Sequence, residues 1–316
     1  MPSTTDPTAR PPRSGLAAAL GAYVLWGAFP AFWPLLAPAG SVEILAHRIG
    51  WTLVGMLVVL TAVRGWSQLR GQSARTWLTI TVASVLITIN WGVYIWGVTH
   101  GRVVESALGY YVNPLVSVVL AVLVLGEQLR RVQWVAVGIA TVAVAVLWAG
   151  TGALPWVALV LACSFGFYGL LKKRVPLAPV AGLTAEGFLL GPIAIGYLVW
   201  LQATGVGTFG QGTGHTLLLI AAGPVTALPL LLFAFGAKRL PLATLGLLQY
   251  VNPTMQFAWG VLVDHEPMPP ARWIGFVLVW VALLVFAADG WTASRRRAGR
   301  PAGSGAGEAQ PTRSTV

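Results

Sequence analysis

Charge is what this 316-residue sequence has least of. Asp, Glu, Lys and Arg make up 9% of it, against about a quarter in soluble domains, which excludes an ordinary water-soluble fold. There is one cysteine, Cys163, so neither an internal disulfide nor a cysteine metal cluster can form. The histidines, at 47, 100, 215 and 265, are too scattered for a metal-ligand pattern. No GxxxxGKS/T phosphate loop, HExxH, CxxC or GxSxG is present, leaving ATP-driven transport by this chain alone and the common hydrolase chemistries without a motif, and no cofactor is expected. Apolar stretches with the alternation and roughly 10-residue length of outer-membrane barrel strands are lacking too.

What remains is helical and apolar. Hydrophobic residues make up 56% of the chain and mean hydropathy is +0.75. The apolar residues fall into ten runs near 15–36, 42–63, 76–98, 103–125, 132–149, 154–171, 180–202, 215–237, 241–263 and 271–289, each near the roughly 20 residues of a spanning helix. The net charge of +11 could suggest a nucleic-acid partner, but its distribution points elsewhere. With the N-terminus placed in the cytoplasm, Arg102 and Arg272 alone fall in outer loops, Arg48 alone lies within a span, and every other Lys and Arg is cytoplasmic. This is the positive-inside pattern of a cytoplasmic-membrane protein with both termini inside. The basic balance therefore concerns topology and the anionic inner leaflet of the lipid bilayer, and nucleic acid is not an expected partner.

The chain also repeats itself. An offset of 139 residues, without a gap, carries Tyr111 onto Tyr250, Asn113 onto Asn252, Pro114 onto Pro253, Glu127 onto Glu266 and Trp134 onto Trp273. It also carries Gly27 onto Gly166, Phe29 onto Tyr168 and His47 onto Glu186. Five runs per unit is an odd number, so the units must run in opposite senses through the membrane. Inverted repeats of this kind build many secondary transporters. The expected fold is an all-α membrane protein of ten transmembrane helices in two inverted five-helix repeats, 15–149 and 154–289. Residues 1–14 and 290–316 are expected to be disordered cytoplasmic ends, the second basic. The first run is too long for the core of a cleaved leader and has a repeat mate in the sixth, so it is expected to be retained.

Polar and bend-forming residues within the runs are the candidate site. In WGAFPAFW, Pro30 cannot donate to the carbonyl of Trp26, so the helix should bend there, either to line a cavity with Trp26 and Phe29 or to shape packing. Pro114 and Pro253 free the carbonyls of Tyr110 and Gln249 in the same way, beside the amides of Asn113 and Asn252, as sites, hinges or sealed kinks. Glu43 begins its run and is expected to be solvated. His47 and Arg48 lie deeper, where charge is costly and usually functional, the alternative being a structural ion pair. Trp91 lies beside Asn90, which shares a helix face with Tyr94; either could meet ligand or bond a neighbouring helix. Glu186 is the best-embedded carboxylate; it and His47 could exchange protons, or Glu186 could pair with Arg48. Glu127 and Glu266 are read as structural, helping to start the next helix.

The stretches VLWGAFPAFW, EILAHRIGW, GLTAEGFLLGP and TALPLLLFAFGAKRLPLATLGLLQYVNPTMQF, with the runs around them, resemble the RarD-type branch of the EamA drug/metabolite transporters from about Gly15 to Asp289. The resemblance implies a central cavity formed mainly by spans 1–4 and 6–9 and movement of small organic solutes, often outward. Tyr110 stands where Gln249 stands in the second repeat, so the half-sites should differ chemically. The resulting expectation is a permease with Trp26, Phe29, Trp91, Tyr94, Tyr110, Asn113, Gln249 and Asn252 around a small-molecule solute. His47, Arg48 and Glu186 would serve charge or proton coupling, and Pro30, Pro114 and Pro253 would be hinges. A non-transporting membrane scaffold or sensor is the alternative; oligomeric state is not legible.

Overall fold

The structure is a computed structural model that describes residues 13–126 and 130–298. Among these there is no strand. The helices are α1 (Arg13–Gly27), α2 (Phe29–Phe32), α3 (Ser41–Ala62), α4 (Ala74–Thr99), α5 (Val103–Leu125), α6 (Arg131–Thr151), α7 (Trp156–Lys172), α8 (Pro179–Ala203), α9 (Thr213–Ala237), α10 (Leu242–Leu248), α11 (Val251–Leu262) and α12 (Pro270–Ala298). In hydrocarbon every backbone donor and acceptor must be satisfied within the chain, and a helix does this segment by segment.

Seven of these helices are long and apolar enough to cross a membrane, eight if α1 and the segment Phe29–Leu36 form one bent span. The outer surface is correspondingly apolar. Val58 is 66% exposed, Leu123 75% and Ile193 73%, a surface made for lipid rather than water. The chain is a multi-pass helical membrane protein.

The bend expected at Pro30 is present. α1 stops at Gly27, and the segment from Phe29 to Leu36 leaves it at 44°. The run expected at 241–263 is split, with α10 and α11 meeting at Gln249–Tyr250 ahead of Pro253, whereas α5 continues through Pro114. The two proline sites therefore differ in backbone as well as in sequence. At the ends, α1 already includes Arg13, and α12 runs on to Ala298, beyond the expected stop at 289. Glu127 lies outside the described residues.

Helices pack in recurring pairs: α6 with α12, α5 with α7 and α11, α3 with α8 and α9, α1 with α9 and α11, and α4 with α7, α8 and α3. Two crossings depend on glycine. A Cβ on Gly223 of α9 would lie 2.4 Å from the carbonyl carbon and 2.4 Å from the Cβ of Trp51 on α3, and one on Gly109 of α5 would lie 2.8 Å from the Ala158 carbonyl oxygen on α7. Small residues of this kind let membrane helices touch backbone to backbone. Two main clusters fill the interior. One joins α5, α6 and α12 around Tyr111, Leu147 and Phe276. The other gathers Phe29, Trp33, Ile44, Tyr94, Leu161 and Leu219, and beside it lies the site.

Candidate functional site

The bend in the first span leaves the Trp26 carbonyl without its helical donor. Gln256 of α11 supplies one, its Nε2 donating to Trp26 O at 3.3 Å and to Asn252 Oδ1 at 2.7 Å. Gln256 is 1% exposed. Sequence reasoning passed over it, although it stands four residues after Asn252 on the same helical face. The Trp26 ring rests against Tyr23 and Phe233, at 5.6 and 5.7 Å between centroids.

Beyond the bend the chain places Phe29 and Trp33 over Arg48 of α3. The guanidinium carbon lies 4.0 Å from the centroid of the Trp91 ring, 5.1 Å from Trp33 and 5.6 Å from Phe29. Arg48 is 3% exposed. Its Nε and Nη1 are buried without a hydrogen-bond partner, as are Trp33 Nε1 and the Tyr94 hydroxyl. The Phe29 centroid lies 5.2 Å from that of Trp33 and 6.4 Å from that of Tyr94, while Tyr94 and Tyr110 pack edge to face at 5.6 Å. Both phenols are close enough to interact electrostatically with Arg48. The structure thus brings Phe29, Arg48, Trp91, Tyr94 and Tyr110 together and adds Trp33, whose signal was its place in the same Pro30 segment.

His47, one residue earlier, faces elsewhere. Its ring stacks on Phe209 at 5.1 Å and 25°, and neither ring nitrogen has a partner. Glu43 corrects the expectation of a solvated end: it is buried, and its Oε1 accepts from the backbone N–H of Thr208 at 2.7 Å and from the Thr208 hydroxyl at 3.0 Å.

The other expected members are spread more widely. Asn90 ties α4 to α7, donating to Leu161 O and Ser164 Oγ at 3.0 Å each and accepting from the Tyr110 hydroxyl at 3.4 Å. Asn113 Oδ1 is buried and unpartnered. Asn252 is held by Gln256, and Gln249 turns back on its own helix to donate to Gly246 O at 3.0 Å.

Glu186 does not meet Arg48. Its Oε1 accepts from Lys172 Nζ at 2.7 Å, and the Tyr168 hydroxyl lies 3.3 Å from both carboxylate oxygens. The pair joins the C-terminal end of α7 to α8. Beside it, a crevice between α3, α4 and α8 is lined by Thr52, Leu53, Trp91, Glu186 and Leu190 among others.

Glu266 corrects a second expectation. It caps the start of α5 rather than that of α12, its Oε1 accepting from the N–H groups of Val103 and Val104, the latter at 3.2 Å, while Arg272 lies 3.9 Å from Oε2. Burial in the loop between α11 and α12 pushes its pKa up to about 7, against the pull of these backbone donors and of Arg272.

An arginine buried among aromatic rings in a membrane bundle, with donors unmet, is the kind of residue that marks a substrate or ion pathway in membrane proteins. Comparison with known proteins narrows this. The model of the EamA-like transporter family matches residues 13–149. "Protein RarD" of Streptomyces exfoliatus is 52% identical over 292 residues, which is 91% of this chain and 92% of that protein. "Uncharacterized transporter YojE" of Bacillus subtilis is 48% identical over 272 residues, 84% of this chain and 90% of its own length. A crystal structure at 20% identity covers 91% of this chain and 99% of its own with a TM-score of 0.54, a likeness of fold. The chain belongs to the EamA-like transporter family, in its RarD-type branch, and is a membrane transporter.

Proposed function

We propose that the chain is a secondary transporter of the cytoplasmic membrane, with both termini inside, that moves a small organic metabolite or drug-like solute by alternating access between two inverted five-helix repeats. The observation that carries this reading is the pairing of the helices. The 139-residue offset exchanges α1–α2 with α7, α3 with α8, α4 with α9, α5 with α10–α11, and α6 with α12. Under that exchange α5–α7 becomes α11–α1, α1–α9 becomes α7–α4, and α3–α9 becomes α8–α4, while α3–α8, α5–α11 and α6–α12 map onto themselves; every one of these contacts occurs. Tyr111 and Tyr250, which also exchange, stack on each other at 6.4 Å and 19°. A residue touches its own repeat mate only near a two-fold axis.

A count of ten spans is consistent with the lengths. At 1.5 Å per residue the 17 residues of α7 reach about 26 Å, close to the roughly 30 Å hydrocarbon core, and α10 with α11 makes one broken span. Broken helices at the repeat interface are where transporters of this architecture bind solute.

Phe29, Trp91, Tyr94 and Tyr110 would wall the solute, with Trp26, Asn113, Gln249 and Asn252 toward the broken helices and Pro30, Pro114 and Pro253 as hinges. Glu186, held by Lys172, would carry the coupling proton, and His47 would tune charge on the opposite side. A scaffold without transport has no use for unmet buried donors around Arg48, and this weighs against that alternative.

The test is uptake of a pooled metabolite and antibiotic mixture by proteoliposomes, with a pH gradient imposed in either direction or absent. Accumulation should follow the sign of the gradient, and Glu186→Gln should abolish accumulation while leaving exchange. Unchanged accumulation in Glu186→Gln would sink the proton assignment; no flux for any solute would sink the transporter.

A further inference from the structure

The chemistry around Arg48 says what kind of solute fits. A guanidinium offers five N–H donors and accepts nothing. At 3% exposure, with Nε and Nη1 unpartnered, this one has the aromatic faces of Trp91, Trp33 and Phe29 as its neighbours. Such faces attract the charge but take no directed hydrogen bond. An uncompensated charge in a low-dielectric interior is among the costliest features a fold can carry.

None of the described carboxylates relieves it. Glu43 is held by Thr208. Glu105 is held by Arg102 and the Val157 N–H, Glu186 by Lys172 and Asp264 by the Trp259 indole. Glu266 caps α5, and Asp289 pairs with Arg130. Two further buried groups without a partner, Trp33 Nε1 and the Tyr94 hydroxyl, belong to side chains of the same cluster: the Trp33 ring lies 5.1 Å from the guanidinium carbon, and Tyr94 interacts electrostatically with Arg48. One fixed positive charge, an unmet indole N–H and a phenol free to donate, with no carboxylate among the described residues to meet them, call for a single oxyanion, and the aromatic walls call for an apolar body attached to it.

We propose that Arg48, Trp33 and Tyr94 form the carboxylate-binding subsite of the transport site, and that the solute is an organic monoanion with an aromatic or apolar body. This rests on the transporter reading. A zwitterion or cation is disfavoured because every described carboxylate that could meet an ammonium group is already engaged. A dianionic phosphate ester is disfavoured because Arg48 is the one cation of the cluster, Lys172 being committed to Glu186.

The experiment uses the full chain in nanodiscs. Phenylacetate, benzoate and octanoate are titrated against phenylacetamide, phenethylamine, L-phenylalanine, inorganic phosphate and chloride, with heat of binding and melting temperature as readouts. The carboxylates should bind saturably, and the amide and amine at least tenfold more weakly. Arg48→Met should remove carboxylate binding at least tenfold and, without ligand, raise the melting temperature, because an uncompensated charge has gone; a merely structural arginine would lower it. Tyr94→Phe, which keeps the ring, should weaken carboxylates severalfold and decides the matter if Arg48→Met does not fold.

The proposal is overturned if the amide binds as tightly as the acid, if none of the three carboxylates binds, if phosphate or chloride alone binds, or if the variants bind like wild type. Carboxylate binding with no flux in liposomes would end the transporter reading and keep the subsite. Flux of a neutral or cationic solute undisturbed by Arg48→Met would do the reverse.

Discussion

Gln256 offers the sharpest test of how the bent first span is held. It donates to two acceptors, the Trp26 carbonyl at 3.3 Å and Asn252 Oδ1 at 2.7 Å, and the first of these exists as a free acceptor because Pro30 has no N–H. The bond to Trp26 joins α11 to the first span, and hydrogen bonds between membrane helices average about 0.6 kcal/mol and reach about 1.7; with the second bond, within α11, also lost, Gln256→Leu should destabilise the protein by about 1–2 kcal/mol. In a Pro30→Ala background the new N–H can donate to Trp26 O, which relieves half of that loss. A double-mutant cycle should therefore give a coupling of about 0.6–1 kcal/mol. The measurement is unfolding of the four purified proteins in mixed micelles by SDS titration, followed by far-UV circular dichroism. If Gln256→Leu costs the same in both backgrounds, within about 0.3 kcal/mol, the bond to Trp26 is not what secures the bend and the reasoning fails.

Other expectations concern packing and charge. Gly223→Ala would drive a Cβ into backbone atoms of Trp51 at 2.4 and 2.7 Å and should cost about 2–3 kcal/mol by overpacking. Gly196→Ala, with nothing within 4 Å, should be neutral or slightly stabilising in the same assay. Glu266, with its pKa raised to about 7 from an ordinary 4.5, holds a proton in the folded state that the unfolded chain has released. Its stabilising contribution is therefore complete below about pH 4.5 and lost as pH rises through 7, with a slope of at most about 1.4 kcal/mol per pH unit. Melting in nanodiscs across that window should show this decline in wild type and a flatter profile in Glu266→Gln; parallel profiles would contradict the assignment.

Much of the molecule was legible from the sequence by itself. The membrane, the helical class and the bend at Pro30 follow from hydropathy and from a missing N–H, which are properties of a residue and its immediate neighbours. The duplication was legible because the YVNP segments and the glycines keep their spacing. From these came the helix exchanges on which the inverted-repeat proposal rests and the candidacy of Phe29, Arg48, Trp91, Tyr94 and Tyr110, which do gather at one place.

Partner choice was decided by the tertiary structure alone. Nothing local marks Glu186 for Lys172 rather than Arg48, Glu43 for Thr208 rather than water, or Glu266 for the start of α5 rather than of α12. These pairings depend on how far each helix is rotated about its axis when it meets the next, and that rotation is set by close approaches such as Gly223 on Trp51 and Gly109 on Ala158. A buried charge in a membrane must be met by whatever the packing brings within reach. Hydropathy records the depth of a charge along the chain but not the direction in which it points, so only the assembled bundle could leave Arg48 without a carboxylate among the described residues while pairing Glu186.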